Sequence, residues 1–352
     1  HIPVQAPREF TQNYEGVYSR GWDALAQQRF ERARELGLIS ENAVPPIPHP
    51  TMRPWESLSQ DERRHYETSM MVNAGMLEAM DHHIGRLMAY LRNTGEFQNT
   101  VFIVTSDNGP EGSDPTLDGL FRLWMSSTGY HRDVESYGEA GYMGAIGAEW
   151  ASAAAVPGSL FKMHASEGGT RVPLIISGPG VMAQTFNPAR AFVTDITPTI
   201  LEMAGRSAET SNSMDGRSLV PVLENRLEQV YSEDDPLGME LGGNSFLLQG
   251  DYKLTRNSLP LGDGNWRLHD VTGDPAERND LSDELPRLRA ALLAEYERYA
   301  DRNNVVPLPT DFDVVEQVNQ NIADRLIKRN RLTVLLTVTG VVLIVLPVSY
   351  TH

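Results

Sequence analysis

Thr100-Val-Phe-Ile-Val-Thr105, followed at once by Ser106-Asp107-Asn108-Gly109, is the stretch on which the fold turns. All six residues of the first part are β-branched or aromatic, the side chains that suit a pleated surface. The run is continuous rather than alternating, which predicts a strand buried on both faces, as in a parallel sheet. The polar tetrad then falls at the strand's carboxyl end, the edge of an open α/β sheet at which ligands bind. Asp107 and Asn108 set a carboxylate beside an amide oxygen, a pair suited to a hard cation such as Ca²⁺ or Mg²⁺. Asp-Asn-Gly is equally an ordinary turn sequence. Two donors cannot complete a Ca²⁺ shell of six or more oxygens, so a metal site needs partners from elsewhere in the chain.

Working outward, Ser57 to Leu91 reads as one long helix. Ser59-Gln-Asp-Glu62 offers a cap and an acidic first turn. Met70, Met71, Ala74, Leu77, Met80, Ile84, Leu87, Met88 and Leu91 recur at three- and four-residue spacing, a single apolar stripe. Gly95 is placed to stop the helix. A shorter helical run covers Asp23 to Leu36 in an otherwise Pro-rich and polar segment, residues 1–55. Downstream, Arg171-Val-Pro-Leu-Ile-Ile176 reads as a second buried strand, and Ile196 to Ala204 as a helix with Pro198 in its first turn. Between the two strands, residues 110–160 form a long Gly-, Ser- and Ala-rich insertion carrying Trp124, Tyr130, Tyr142 and Trp150. These aromatics suit either a buried core or a platform for an aryl or sugar group. From Val230 the pattern changes to short strands at 245–248, 252–255 and 266–269, then an amphipathic helix over 285–299. The expected architecture is an α/β domain over 1–229, with a mostly parallel sheet sandwiched by helices, and a small C-terminal α+β subdomain over 230–310. A linker over 311–331 and an apolar segment over 332–350 complete the division.

A second polar constellation is Lys162-Met-His-Ala-Ser-Glu167-Gly-Gly-Thr-Arg171-Val-Pro173. Lys162 supplies a compact point charge for an oxyanion, and Gly168-Gly169 lets backbone approach closely. The plainer reading is a solvated loop with a Glu167–Arg171 ion pair, and Arg171, entering a strand, is given a structural role. Composition narrows the choices further. With 352 residues and 40% hydrophobic content, the chain can bury a large core and is not disordered. Its formal charge of −17 argues against sequence-independent binding to nucleic acid, which phosphate repulsion opposes. The absence of cysteine excludes disulfides, thiolate metal sites and a cysteine nucleophile within it.

Taken in order, these segments resemble the sulfatases of the alkaline phosphatase superfamily. Val-Thr-Ser-Asp107-Asn108-Gly is similar to that family's metal-binding strand end, and Lys162 with Glu167-Gly-Gly-Thr-Arg-Val-Pro to its later Lys and Glu-Gly-Gly segment. Phe192-Val-Thr-Asp-Ile-Thr-Pro-Thr-Ile-Leu-Glu-Met-Ala-Gly205 resembles the helix that follows. Asp215-Gly-Arg-Ser-Leu219 and the segment from Leu268 to Leu281 resemble C-terminal markers. The stretch from Trp150 to Pro157 is most similar to bacterial arylsulfatases. The resemblance implies an alkaline phosphatase-like fold and metal-assisted hydrolysis of a small-molecule or glycan sulfate ester. It assigns Asp107 and Asn108 as ligands of Ca²⁺ (or Mg²⁺) and Lys162 as a contact to the sulfate and bridging ester oxygens. It makes His1, in His-x-Pro, a substrate-contacting histidine. The family nucleophile is a formylglycine made from Cys or Ser in Cys/Ser-x-Pro-x-Arg, and Ser258-Leu-Pro-Leu-Gly262 lacks the arginine. The expectation is therefore a C-terminal fragment, inactive by itself, with the formylglycine in a missing N-terminal segment. A phosphonate or phosphodiester hydrolase of the same superfamily, or a non-catalytic membrane-anchored binding domain, are the alternatives.

The ends carry the remaining expectations. The chain starts at His1 without Met, and Val348 to His352 resembles translated adapter sequence. Leu332 to Tyr350 holds no charged residue, and Arg325, Lys328, Arg329 and Arg331 precede it. The apolar part, fifteen residues, would span only ~22 Å as a helix, short of the ~30 Å hydrocarbon core. It reads as a truncated transmembrane segment, which predicts membrane association through the C-terminal tail. Basic flanks favour the cytoplasm for that side, whereas the family resemblance favours a periplasmic catalytic domain, the reading adopted.

Overall fold

The structure, a computed structural model, describes residues 2–182, 186–206, 214–309 and 311–329. Helix α1 (Gly21–Glu35) and the long helix α2 (Gln60–Thr94) share an aromatic core, in which Trp22 meets Tyr66 edge-on. Ser59 caps α2 as its sequence predicts: its hydroxyl accepts from the Glu62 N–H, and the Glu62 carboxylate accepts from the Ser59 N–H in return. Gly95 closes the helix at φ +80°, a left-handed position that only glycine adopts without cost. Strand β1 (Phe102–Thr105) follows, then helix α3 (Gly119–Thr128) and helix α4 (Gly147–Ala155). Strand β2 (Leu174–Ser177) and helix α5 (Ile196–Met203) complete this half.

The core here is built from tryptophans. Trp22 meets Trp55 edge-on at 4.7 Å between ring centroids, and Trp150 of α4 stands perpendicular to Trp22 at 5.6 Å. Trp150 also donates its indole N–H to the Tyr66 carbonyl, so the buried ring keeps its one polar group satisfied. The aromatics of the 110–160 insertion therefore divide: Tyr142 and Trp150 are wholly buried, while Trp124 stacks on Tyr130 near the surface.

The expected α/β fold with a mostly parallel sheet is corrected. Among the described residues β1 pairs with β2 alone, and the pairing is antiparallel, from Phe102 opposite Ser177 to Thr105 opposite Leu174. Neither strand is buried on both faces. Burial alternates along β2, and Ile175 is 61% exposed. An antiparallel ribbon tolerates one solvated face, whereas a parallel sheet needs cover on both. Apolar character marked the strands correctly but carried no information on their direction. α2 departs from expectation in a related way. Met70, Met71 and Ala74 are buried, but Leu77, Met80 and Leu87 further along the same stripe are each about half exposed.

The second sheet has four strands in sequence order, all antiparallel: β3 (Leu237–Leu241), β4 (Asn244–Gln249), β5 (Tyr252–Arg256) and β6 (Arg267–Asp270). Helix α6 (Pro286–Arg302) lies on its face, and Leu247, Leu254, Leu268, Leu292 and Tyr296 form the core between them. Asp195 ties this half to the first. Wholly buried, it accepts from the N–H groups of Phe192 and Arg217 and from the Tyr231 hydroxyl. A last helix, α7, covers Val314–Arg329.

The membrane expectations are also corrected. No helix among the described residues is long and apolar enough to cross a membrane. The run from Leu332 to Tyr350, on which the transmembrane tail, the membrane partner and the membrane-associated periplasmic placement rested, lies outside the described residues. Helix α7 just before it is amphipathic and carries Glu316, Asp324, Arg325, Lys328 and Arg329, too many charges for a span.

Candidate active site

The two polar constellations meet. As β1 ends, Thr105 donates its hydroxyl to the Pro173 carbonyl at 2.9 Å, joining the strand end to the entry of β2. Two bonds then cross to the other loop. The Gly109 N–H donates to the Gly169 carbonyl at 2.9 Å, and the Lys162 N–H donates to the Pro110 carbonyl at 3.0 Å. The glycines make this approach possible. A Cβ on Gly109 would collide with the Gly168 carbonyl oxygen, and one on Gly168 or Gly169 would strike the carbonyl of Ser159 or His164.

Lys162 is partly exposed, and its ammonium donates to Glu111 Oε2 at 2.9 Å. Burial pushes the Glu111 carboxyl up, but hydrogen bonds from Ser113 and Lys162 outweigh it and hold the group below the ordinary glutamate range. Glu111 therefore stays ionised at neutral pH and fixes one of the three N–H donors of Lys162. Asp107 is exposed, and among the described residues its carboxylate makes no hydrogen bond or ion pair. Asn108 is half buried, and its amide donates to the Gly109 carbonyl. His1 lies outside the described residues.

The Ca²⁺ and Mg²⁺ expectation is corrected on the donor set. Among the described residues no group of three or more His, Cys, Asp or Glu side chains could hold a metal ion. Asp107 and Asn108 are joined by no third side chain of that kind, and a shell of six to eight oxygens is out of their reach. The residues present do not fit the ion.

Behind the glycines lies a feature that sequence reading missed. Lys253 of β5, 1% exposed, donates to Glu167 Oε1 at 2.8 Å and to the Thr170 hydroxyl at 2.9 Å. Glu277 stands 3.9 Å from the same ammonium and accepts from the Ser159 hydroxyl and the Glu167 N–H, each at 2.8 Å. The Glu167–Arg171 pairing expected from spacing is present at 3.6 Å, on the exposed side. Lys253 and Glu277 follow the loop by more than eighty residues, so no local spacing joins them to it. The one signal was a lysine in the middle of a strand otherwise reading as buried. His164 belongs to the core: burial pushes its ring down, and its Nδ1 faces the Phe161 carbonyl.

A separate cleft of about 450 Å³ is lined by Arg53, Asp61, Glu62, His65, Tyr66, Leu117 and Arg132 and contains none of the predicted site residues. Burial and Arg132 push His65 down to about 4, so it is neutral near pH 7 and accepts from the Arg132 guanidinium.

The sulfatase family profile matches residues 1–206. An uncharacterized sulfatase of Schizosaccharomyces pombe is 32% identical over 327 residues, covering 90% of this chain and 59% of its own length. An arylsulfatase of Klebsiella aerogenes is 28% identical over 227 residues, covering 63% of this chain and 47% of its own. The solved structure of a candidate sulfatase from Bacteroides fragilis superposes with a TM-score of 0.52 at 17% identity, over 85% of this chain and 51% of that one, a likeness of fold. These matches set the chain in a class of proteins whose named members are sulfatases. Within that class, the chain belongs to the sulfatase family. The reading of the chain as a C-terminal fragment with its formylglycine in a missing N-terminal segment is corrected by the extent of the sulfatase profile, which covers residues 1–206. The chain spans about half the length of the curated relatives it matches.

Proposed function

We propose that the protein hydrolyses sulfate esters, of aryl or glycan alcohols, at the junction of the β1 exit and the Lys162 loop. The observation that carries this reading is the pair of backbone bonds, Gly109 to Gly169 and Lys162 to Pro110, that brings the two segments side by side. They hold an ammonium beside a polar strand end that is open to solvent. Lys162 is the group that meets the anion. Glu111 orients its Nζ and occupies one donor, which leaves two N–H donors for the oxygens of a sulfate monoester. As a water oxygen bonds to sulfur, the S–O bond to the alcohol breaks and negative charge grows on the bridging oxygen, where a fixed ammonium stabilises it more than in the ground state; the alcohol leaves with a proton that the water gives up. Asp107 and Asn108 form the adjoining lip, where an exposed carboxylate and an amide orient the alcohol portion. The arylsulfatase name of the Klebsiella relative supports the aryl class.

The test is steady-state turnover of 4-nitrophenyl sulfate and 4-nitrophenyl phosphate by the intact protein and by Lys162→Ala. Sulfate is preferred, and the variant loses roughly 10²- to 10³-fold in kcat/KM, the size typical of removing one preorganised charge donor. Preference for the phosphate ester, or an unchanged kcat/KM in the variant, contradicts the assignment.

A further inference from the structure

The buried ions behind the loop do not balance. Glu167, Lys253 and Glu277 bring two carboxylates to one ammonium, with side chains 9%, 1% and 4% exposed. Glu167 takes the short contact and is held below its ordinary range, since Lys253 and Arg171 together outweigh the burial that would raise it. Glu277 is left with the longer contact, and its Oε1 is buried with no hydrogen-bond partner. Its backbone sits at φ +52°, a conformation that residues with a Cβ rarely adopt, so its surroundings hold it there. The other charged groups around it are few. His269 pairs with Lys253 across to β6, Arg171 and Arg190 act on Glu167, and Asp274 of Glu277's own loop accepts from Asn279.

This cluster reaches the proposed site by direct contacts. Glu277 accepts from the Glu167 N–H, and Lys253 holds the Glu167 and Thr170 side chains. The turn they grip, Glu167–Thr170, presents the Gly169 carbonyl that receives the Gly109 N–H. Glu277 also holds the hydroxyl of Ser159, three residues before Lys162. We propose that Lys253 and Glu277 are positioning residues: the C-terminal sheet clamps the Lys162 loop against the β1 exit, and the clamp loosens when Glu277 ionises. The clamp itself is independent of substrate; its catalytic consequence rests on the function proposed above.

The sign follows from burial. Burial and the neighbouring Glu167 push the Glu277 carboxyl up to about 7 despite Lys253. A carboxyl raised in the closed state favours that state while protonated, so closure weakens as pH rises through about 7. The experiment is hydrogen exchange of the intact protein at about pH 6 and about pH 8, corrected for intrinsic rates, at the amides of Gly109, Gly168, Gly169 and Arg171. Linkage predicts opening at these amides about tenfold more favourable at the higher pH. Glu277→Gln, an uncharged near-isostere, removes the difference, while amides of α2 show no such change in either protein. A flat response in the unsubstituted protein, or an unaltered response in Glu277→Gln, overturns the clamp. A second readout is the pH profile of 4-nitrophenyl sulfate turnover, whose alkaline limb moves to higher pH in Glu277→Gln. Absence of turnover at every pH, with the exchange response intact, refutes the proposed function and leaves the clamp standing. Turnover with no exchange response refutes the clamp alone.

Discussion

At Lys162 a single ammonium is shared between holding its own position and meeting a substrate. Glu111 does the holding, and the pair is about one-third exposed on the lysine side, so solvent screens it. Glu111→Gln is therefore expected to cost less than about 1 kcal/mol of stability at neutral pH, yet to lower kcat/KM by freeing the lysine rotamer. The pH dependence separates the two effects. The folded-state carboxyl lies below its ordinary range, so its stabilisation is present above the unfolded glutamate pKa and lost as pH falls through the folded value. Thermal unfolding between about pH 3 and pH 7 checks this: the variant should lose less stability on acidification than the unsubstituted protein, and equal losses would contradict it. Asp107 and Asn108 stood out in the sequence because they close an apolar run ahead of Gly109, and Lys162 because it precedes Glu167-Gly-Gly by five residues; their roles belong to the proposed function. Lys253 and Glu277 did not stand out, because a buried ion cluster assembled from three distant segments leaves no periodic trace.

Elements were legible where one local force sets them. The capping box at Ser59, the stop at Gly95 and the strands and helix beyond Val230 follow from capping, glycine conformation and alternation. The direction of β1 relative to β2 depends on the path of the intervening residues 106–173, which strand propensity does not encode. The same limit applies to α2, whose stripe is uniform in sequence but buried only at its start. The contact between the β1 exit and the Glu-Gly-Gly turn belongs to this scale, and Gly109 tests it. Gly109→Ala places a methyl group against the Gly168 carbonyl oxygen, with backbone on both sides and nothing flexible to yield. It should cost roughly 1–3 kcal/mol, the usual range for overpacking, measured by denaturant unfolding. A fall of only a few tenths of a kcal/mol would mean that the two segments are not in contact.

Across the whole molecule, two antiparallel sheets are tied by buried polar groups. Asp195 links the α5 entry to Arg217 and Tyr231, and the Glu167–Lys253–Glu277 cluster links the candidate site to the second sheet. The family resemblance in the sequence ran along segments from both halves, and the structure gives a physical reason: Glu167 and Glu277 belong to two of those segments and touch. The parallel sheet and the cation did not survive, because each extended a local pattern to partners that the described residues do not supply, and the apolar tail lies outside the described residues, among which no helix is long and apolar enough to cross a membrane.

The most direct test of the shared site is a crystal structure of the intact protein grown with the product, sulfate, at saturating concentration. A sulfate oxygen is expected about 3 Å from Lys162 Nζ, in the space between Asp107–Asn108 and the Glu167 turn. Sulfate bound elsewhere, with Lys162 directed away from the β1 exit, would contradict it.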